Sequence, residues 1–183
     1  MIAWGAGDKN KSPREDAWRS ASSGSGAWAW PLVRSLLQAG HRVHAWDTSD
    51  KAMQQATAAG AVAVANAKEA FRGDAVLSML PNNEAMRGVF LDSGVPPDKA
   101  SSTKIHVNMA TASVDCARLM TAEHARRGID YVSAPVFGRP MAEERQLNIL
   151  ATGPAAAIDK VQPLFDALGR IICYNTQPPL SCA

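Results

Sequence analysis

Gly24, Gly26 and Ala29 stand at the spacing G-x-G-x-x-A, and an apolar helical pattern, PLVRSLLQAG, follows directly. Small residues so spaced let a backbone turn approach a pyrophosphate at a helix N-terminus, whose orphan N–H groups bind the anion without a cationic side chain. Roughly 20 residues beyond the glycines, where such fingerprints carry an acid, Asp47 ends the segment HRVHAWD. A carboxylate there accepts hydrogen bonds from an adenosine ribose and repels a 2′-phosphate. The bland alternatives are a Gly/Ser linker and an aspartate that opens a turn with Thr48. The helix pattern, Pro31 near its start and the strand-plus-acid at the right distance favour the nucleotide reading over them.

Other chemistry-bearing residues are sparse. Cys116, Cys173 and Cys182 are odd in number and widely spaced, which fits reduced thiols and no metal site. His106 falls inside a strand pattern and His124 on a helix pattern, so both read as structural. No group is identified as a catalytic acid or base, and no metal ligand set is found.

The elements that must position these residues alternate regularly. Helical stripes at PLVRSLLQ, KAMQQATA, NNEAMRGVFL, SVDCARLMTAEHARR and AAAIDKVQPLFDAL are separated by the strand candidates HRVHAW, AVAV, DAVLSML, KIHVNM, IDYVSAPVF, LNILAT and RIICY, with a short helix at NAKEAF. Pro163 lies inside the last helix pattern and is expected to kink or break it. This alternation predicts an α/β fold: a three-layer, Rossmann-like, doubly wound and mostly parallel sheet covered on both faces. Ligands of such sheets bind outside the carboxyl ends of the strands.

A chain of 183 residues with 46% hydrophobic and 20% charged residues has the composition of a globular domain. A net charge of +2 without a basic run gives no electrostatic footprint for nucleic acid. No apolar run reaches the roughly 20 residues of a membrane span, and no secretory signal stands at the N-terminus. The expected location is the cytoplasm. Residues 1–23 read as an irregular segment with a first strand at 2–4, residues 24–174 as the nucleotide-binding domain and 175–183 as a tail. The N-terminal MIAWGAG has a short apolar run and its own G-x-G at Gly5 and Gly7, but the polar stretch DKNKSPREDAWRSASS separates it from the helix. Two half-fingerprints therefore compete, and the helix favours Gly24, Gly26 and Ala29.

Four motifs in order, GSGAWAWPLVRSLLQAGHRVHAWD, GDAVLSMLPNNEAM, VNMATASVDCARLM and GIDYVSAPVFGRP, carry a resemblance. From about Gly24 to Tyr174 the chain resembles the NAD(P)-binding domain of the 6-phosphogluconate dehydrogenase-like and 3-hydroxyisobutyrate dehydrogenase-like β-hydroxyacid dehydrogenases. The resemblance implies that Gly24, Gly26 and Ala29 hold the pyrophosphate turn. It also implies that Asp47 faces the adenosine ribose, with NAD as cofactor and NADP as second choice. Leu80 and Pro81 would line the cofactor cleft with backbone and apolar surface, Thr111 would approach the nicotinamide ribose, and Gly138 would lie beside the substrate. The implied reaction of an intact relative is hydride transfer between the nucleotide and a small hydroxy acid.

The departures from the family pattern bear on substrate rather than nucleotide. The family's serine before the threonine is Ala110, its preceding acid is Asn108, and its serine-glycine-glycine is Phe137-Gly138-Arg139. A phenyl group cannot replace a hydroxyl donor. The family's helical second domain, which supplies a catalytic lysine, has no counterpart in these residues, and Lys160 matches no part of that site. The expectation is thus a nucleotide-binding domain without its catalytic half, inactive alone and prone to self-association through the surface that domain would cover. The alternative is a non-catalytic binding or scaffold module on the same fold.

Overall fold

A computed structural model describes residues 2–4, 29–71, 73, 75–93, 95, 105–138 and 146–175, with the side chains of 2–4, 29 and 173–175 outside that description. Gly24 and Gly26, most of the N-terminal segment, the tail from 176 and the side chains of Cys173 and Cys182 lie outside the described residues.

Helix α1 (Ala29–Gln38) presents Leu32, Val33 and Leu36 to the core and Arg34 and Gln38 to solvent, the one-sided stripe of an amphipathic helix. Gly40, at φ +84°, follows it in the left-handed turn that favours glycine. Strand β2 (His44–Ala45) leads through Asp47 to α2 (Asp50–Ala58), whose N-cap is Ser49: its Oγ accepts from Ala52 N at 3.3 Å. Strand β3 (Val62–Ala63) and the short α3 (Ala67–Ala70) follow, then β4 (Ala75–Ser78) and α4 (Asn83–Arg87), which runs on as a π-helical turn through Asp92.

Strand β5 (Ile105–Asn108) precedes α5 (Val114–Arg126), capped by Ser113. All residues of β4 and β5 are buried, as expected of central strands covered on both faces. The sheet continues with β6 (Asp130–Ser133), β7 (Val136–Phe137), β8 (Leu147–Thr152), α6 (Ala155–Leu168) and β9 (Gly169–Asn175). The IDYVSAPVF strand is two short strands, β6 and β7, that pair with β8 in one register, interrupted at Ala134 and Pro135. On the far edge of β8, β9 carries a bulge: Ile149 faces Ile171 and Leu150 faces Cys173, leaving Ile172 unpaired and half-exposed.

The strand order is β3-β2-β1-β4-β5-β6-β8-β7, where β1 is Ile2–Trp4 and β9 adds to β8. Strands β2 to β7 run one way, whereas β1, β8 and β9 run the other. Helix α1 packs on α2 and α6. On the other face, Phe71 after α3, Phe90 after α4 and His124 of α5 converge on His106 of β5.

Two features differ from simple expectation. The N-terminal run Ile2–Trp4 does occupy the central slot, but antiparallel to both neighbours, with Ile2 opposite Leu77 and Trp4 opposite Ala75. A strand feeding a glycine turn must run parallel to β4; β1 instead ends at the amino edge of β4. Pro163 does not break α6, which is continuous over Ala155–Leu168. It lies on the exposed face, while Ile158, Val161, Leu164, Phe165 and Leu168 anchor the helix on both sides of it.

Candidate functional site

The common direction of β2, β4, β5 and β7 gathers most of the predicted site residues at one edge of the sheet. Asp47 follows β2, Leu80 and Pro81 follow β4, Thr111 follows β5 and Gly138 follows β7, all beyond carboxyl ends. Because α1 precedes β2 by a short turn, its first residue, Ala29, opens at that same edge.

Asp47 Oδ1 accepts from Ser49 N at 2.8 Å. The aspartate thus does open a turn, and that turn places Ser49 to cap α2. The bond also fixes the carboxylate at the end of β2, and a carboxylate has room for several acceptor contacts. The Leu80 side chain is buried in the core, so at this edge the segment offers Leu80's backbone and the exposed ring of Pro81. Thr111 is exposed and is not the cap of α5, a role taken by Ser113. Gly138 has φ +103°, a left-handed conformation that accounts for glycine there. Its neighbour Phe137 is 53% exposed, so the ring standing where a serine was expected projects outward.

The chemistry sequence reasoning missed lies just beneath this edge. Ser78 Oγ and His106 Nε2 are 2.8 Å apart, His106 Nδ1 and His124 Nε2 are 2.8 Å apart, and His124 Nδ1 lies 2.7 Å from the Met120 carbonyl oxygen. All three side chains are buried. The carbonyl can only accept, which puts a proton on His124 Nδ1. In the neutral ring Nε2 then accepts from His106 Nδ1–H, and His106 Nε2 accepts from the Ser78 hydroxyl. Every ring nitrogen is thereby satisfied with both histidines neutral. Burial holds the His106 pKa well below its usual value, helped by His124. Burial likewise lowers His124 to about 4, against the opposing effect of its bond to Met120.

Asn108, also buried, touches Ser78 Oγ at 3.2 Å and grips Ala110 twice, Oδ1 accepting from Ala110 N at 3.2 Å and Nδ2 donating to Ala110 O at 3.1 Å. The Tyr131 hydroxyl is buried beside this group without a hydrogen bond of good geometry, although the Asn108 amide is close enough to counter part of the burial that raises its pKa. Burial also raises the Cys116 thiol, against a smaller effect of Arg87. These groups are buried away from solvent. The signals that would have found the pair are the stripe Cys116, Met120, His124 on one face of α5 and the shared strand face of His106 and Asn108.

Among the described residues there is no group of three His, Cys, Asp or Glu able to hold a metal ion and no helix long and apolar enough to cross a membrane. A shallow cavity of about 120 Å³ between Thr121, Ala125, Tyr131 and Thr152 contains none of the predicted site residues.

Residues 22–176 match the family model of the NAD binding domain of 6-phosphogluconate dehydrogenase. The chain is 34% identical over 154 residues to an NAD-dependent L-serine dehydrogenase of Pseudomonas aeruginosa, covering 82% of this chain and 51% of that protein. It is 31% identical over 153 residues to the 2-(hydroxymethyl)glutarate dehydrogenase of Eubacterium barkeri, with 82% and 51% covered. Among solved structures, 3-hydroxyisobutyrate dehydrogenase of Mycobacterium tuberculosis with L-serine superposes with a TM-score of 0.78 at 25% identity, over 88% of this chain and 56% of that one. The chain therefore spans about half the length of the curated relatives it matches. With a sheet edge, a capped helix layer and a family model that agree over most of its length, the chain belongs to the 6-phosphogluconate dehydrogenase-like family of NAD-binding domains, the nucleotide-binding part of the β-hydroxyacid dehydrogenases.

Proposed function

We propose that this domain binds NAD in preference to NADP along the carboxyl edge of its sheet. The observation that carries the reading is the gathering of Asp47, Pro81, Thr111 and the start of α1 at that edge. The residues fit the cofactor chemically. Asp47 is a fixed acceptor for ribose hydroxyls and repels a 2′-phosphate, Pro81 gives an exposed apolar surface, and Thr111 gives an exposed hydroxyl for the second ribose. Gly24, Gly26 and Ala29 form the pyrophosphate turn in this reading. When bound, the nicotinamide supplies the hydride chemistry.

In the whole protein, the substrate is a small hydroxy acid beside Gly138. Ala110 and Phe137 remove two hydroxyl donors, so carboxylate recognition there differs from the serine-bearing family pattern. The domain by itself is expected to perform no turnover, since neither Thr111 nor Gly138, the residues assigned beside the nicotinamide and substrate, is a general acid or base near neutral pH. The cytoplasm is the proposed location.

One observation favours a second reading, a non-catalytic module on the same fold. Strand β1 runs antiparallel to β4, so it does not deliver the chain into the glycine turn as the fingerprint requires. The test is a titration with NADH and NADPH followed by energy transfer from tryptophan, for which Trp46 beside Asp47 is well placed. The nucleotide reading expects saturable binding with NADH at least tenfold tighter, and a D47A variant that loses the preference. Absence of saturation with both nucleotides favours the non-catalytic module; tighter NADPH binding refutes the role of Asp47.

A further inference from the structure

The loop after β5, residues 109–113, has no regular structure, yet side chains hold it at both ends. At its start, Met109 N donates to Ser78 O at 2.8 Å, and the Asn108 amide brackets the Ala110 peptide from both sides. At its end, Asn83 Nδ2 donates to Ser113 Oγ at 3.0 Å while Asn83 Oδ1 accepts from Ser113 N at 3.1 Å. Asn83 is the first residue of α4, two positions after Pro81. The pair therefore ties the segment after β4 to the segment after β5, across 30 residues of sequence. Thr111, exposed, sits between the two clamps.

Each clamp requires a carboxamide. Asn83 and Asn108 both use the carbonyl oxygen and the NH2 group at once, one accepting and one donating. An aspartate at either position would keep the acceptor and lose the donor; an alanine would lose both. We infer that Asn83 and Asn108 are positioning residues, which set Thr111 relative to Pro81 and so hold the nicotinamide half of the nucleotide site. The inference rests on the reading that the nucleotide lies at this edge. Neither asparagine touches the nucleotide in this account. They act through the peptide of Ala110 and through the backbone and hydroxyl of Ser113.

The position of the clamps gives a selective test. NADH reaches the loop after β5 through its nicotinamide ribose, whereas ADP carries only the adenosine half and ends at the pyrophosphate. N83A is the cleaner variant because Asn83 lies near the surface, and N108A is the stronger one. In the full chain, each is expected to raise the NADH Kd about tenfold, the size of losing one pair of ordinary hydrogen bonds, and to leave the ADP Kd within twofold. The N83A/S113A double variant should lose less NADH affinity than the two single losses combined, since the Asn83 Nδ2–Ser113 Oγ bond is lost in either single variant. Equal weakening of NADH and ADP, or unchanged NADH binding in N83A, overturns the inference.

A wild-type chain that binds neither probe overturns the nucleotide reading and the positioning role with it. Amide exchange identifies which part failed. Exchange at Ala110 should rise in N108A, and exchange at Ser113 in N83A, by at least tenfold if the clamps exist. Unchanged exchange in both variants refutes the clamps themselves.

Discussion

Mild acid should destabilise this domain through its buried histidine pair. The neutral arrangement satisfies Met120 O, both rings and Ser78 with one proton per ring. Adding a proton reverses the chain: His106 Nε2–H would donate to Ser78, whose hydroxyl would turn to Asn108 Oδ1, 3.2 Å away. The charge would then sit in a fully buried pair beside Phe90 and Tyr131, with Arg127 adding repulsion. The folded pKa of His124 is about 4, against about 6.5 in the unfolded chain. The unfolded state therefore binds more protons between these values. Stability is full above about pH 6.5 and is lost as pH falls toward 4.

At pH 5 a histidine with those two values, the folded one about 4, lowers stability by about 2 kcal/mol relative to pH 7.5. His106, whose burial also favours the neutral ring, adds a loss of the same sign. The His124 part alone, about 2 kcal/mol, is a sizeable share of the 5–15 kcal/mol typical of a domain. Urea unfolding at pH 7.5, 6.5, 5.5 and 5.0 is the assay. The expected slope from His124 alone is about 1.2 kcal/mol per pH unit between pH 5 and 6, and H124Q should remove that part. An unfolding free energy flat from pH 7 to pH 5, or an imidazole of the pair titrating near 6.5 in the folded chain by NMR, would refute the reasoning.

Two further outcomes follow from packing. Gly169 stands where β9 meets β8, and a Cβ there would overlap the Leu147 carbonyl oxygen and lie 2.6 Å from its amide nitrogen. G169A should cost about 2–3 kcal/mol, the upper range for overpacking, read as a lower urea midpoint; an unchanged midpoint would contradict this register. Phe137 and Ile172, 53% and 51% exposed, lie on the strands flanking β8, and the account expects concentration-dependent self-association that a F137S/I172T double variant reduces. A monodisperse monomer at high concentration in light scattering would count against it.

Much of the element order was legible because its signals are local. Asn66, Asn82 and Ser113 cap the helices that follow them, and the glycines after α1, α2 and α5 take positive φ. The direction of β1 was not legible. Three apolar residues specify burial, and alternation reads the same in both directions, so pairing antiparallel to β4 leaves no trace in composition. That Pro163 leaves α6 unbroken was not legible either, because the outcome depends on the exposed face it occupies, a matter of tertiary packing. The histidine chain and the Asn83–Ser113 clamp were invisible for a different reason. Their partners are 18, 28 and 30 residues apart, and only the sheet order makes them neighbours. At the site, the motif's Asp47, Pro81 and Thr111 lie on segments gathered at one edge of the sheet, whereas the Leu80 side chain is in the core and leaves only its backbone there.

The central claim is that nicotinamide dinucleotide lies along the carboxyl edge of this sheet, and amide hydrogen exchange with and without saturating NADH tests it most directly. Protection is expected in the segments following β2, β4 and β5, residues 46–49, 79–82 and 109–113, and at the start of α1. The amino-edge turns at residues 39–43 and 127–129 should be unchanged. Protection confined to the amino edge, or no change anywhere at saturating NADH, would contradict the account.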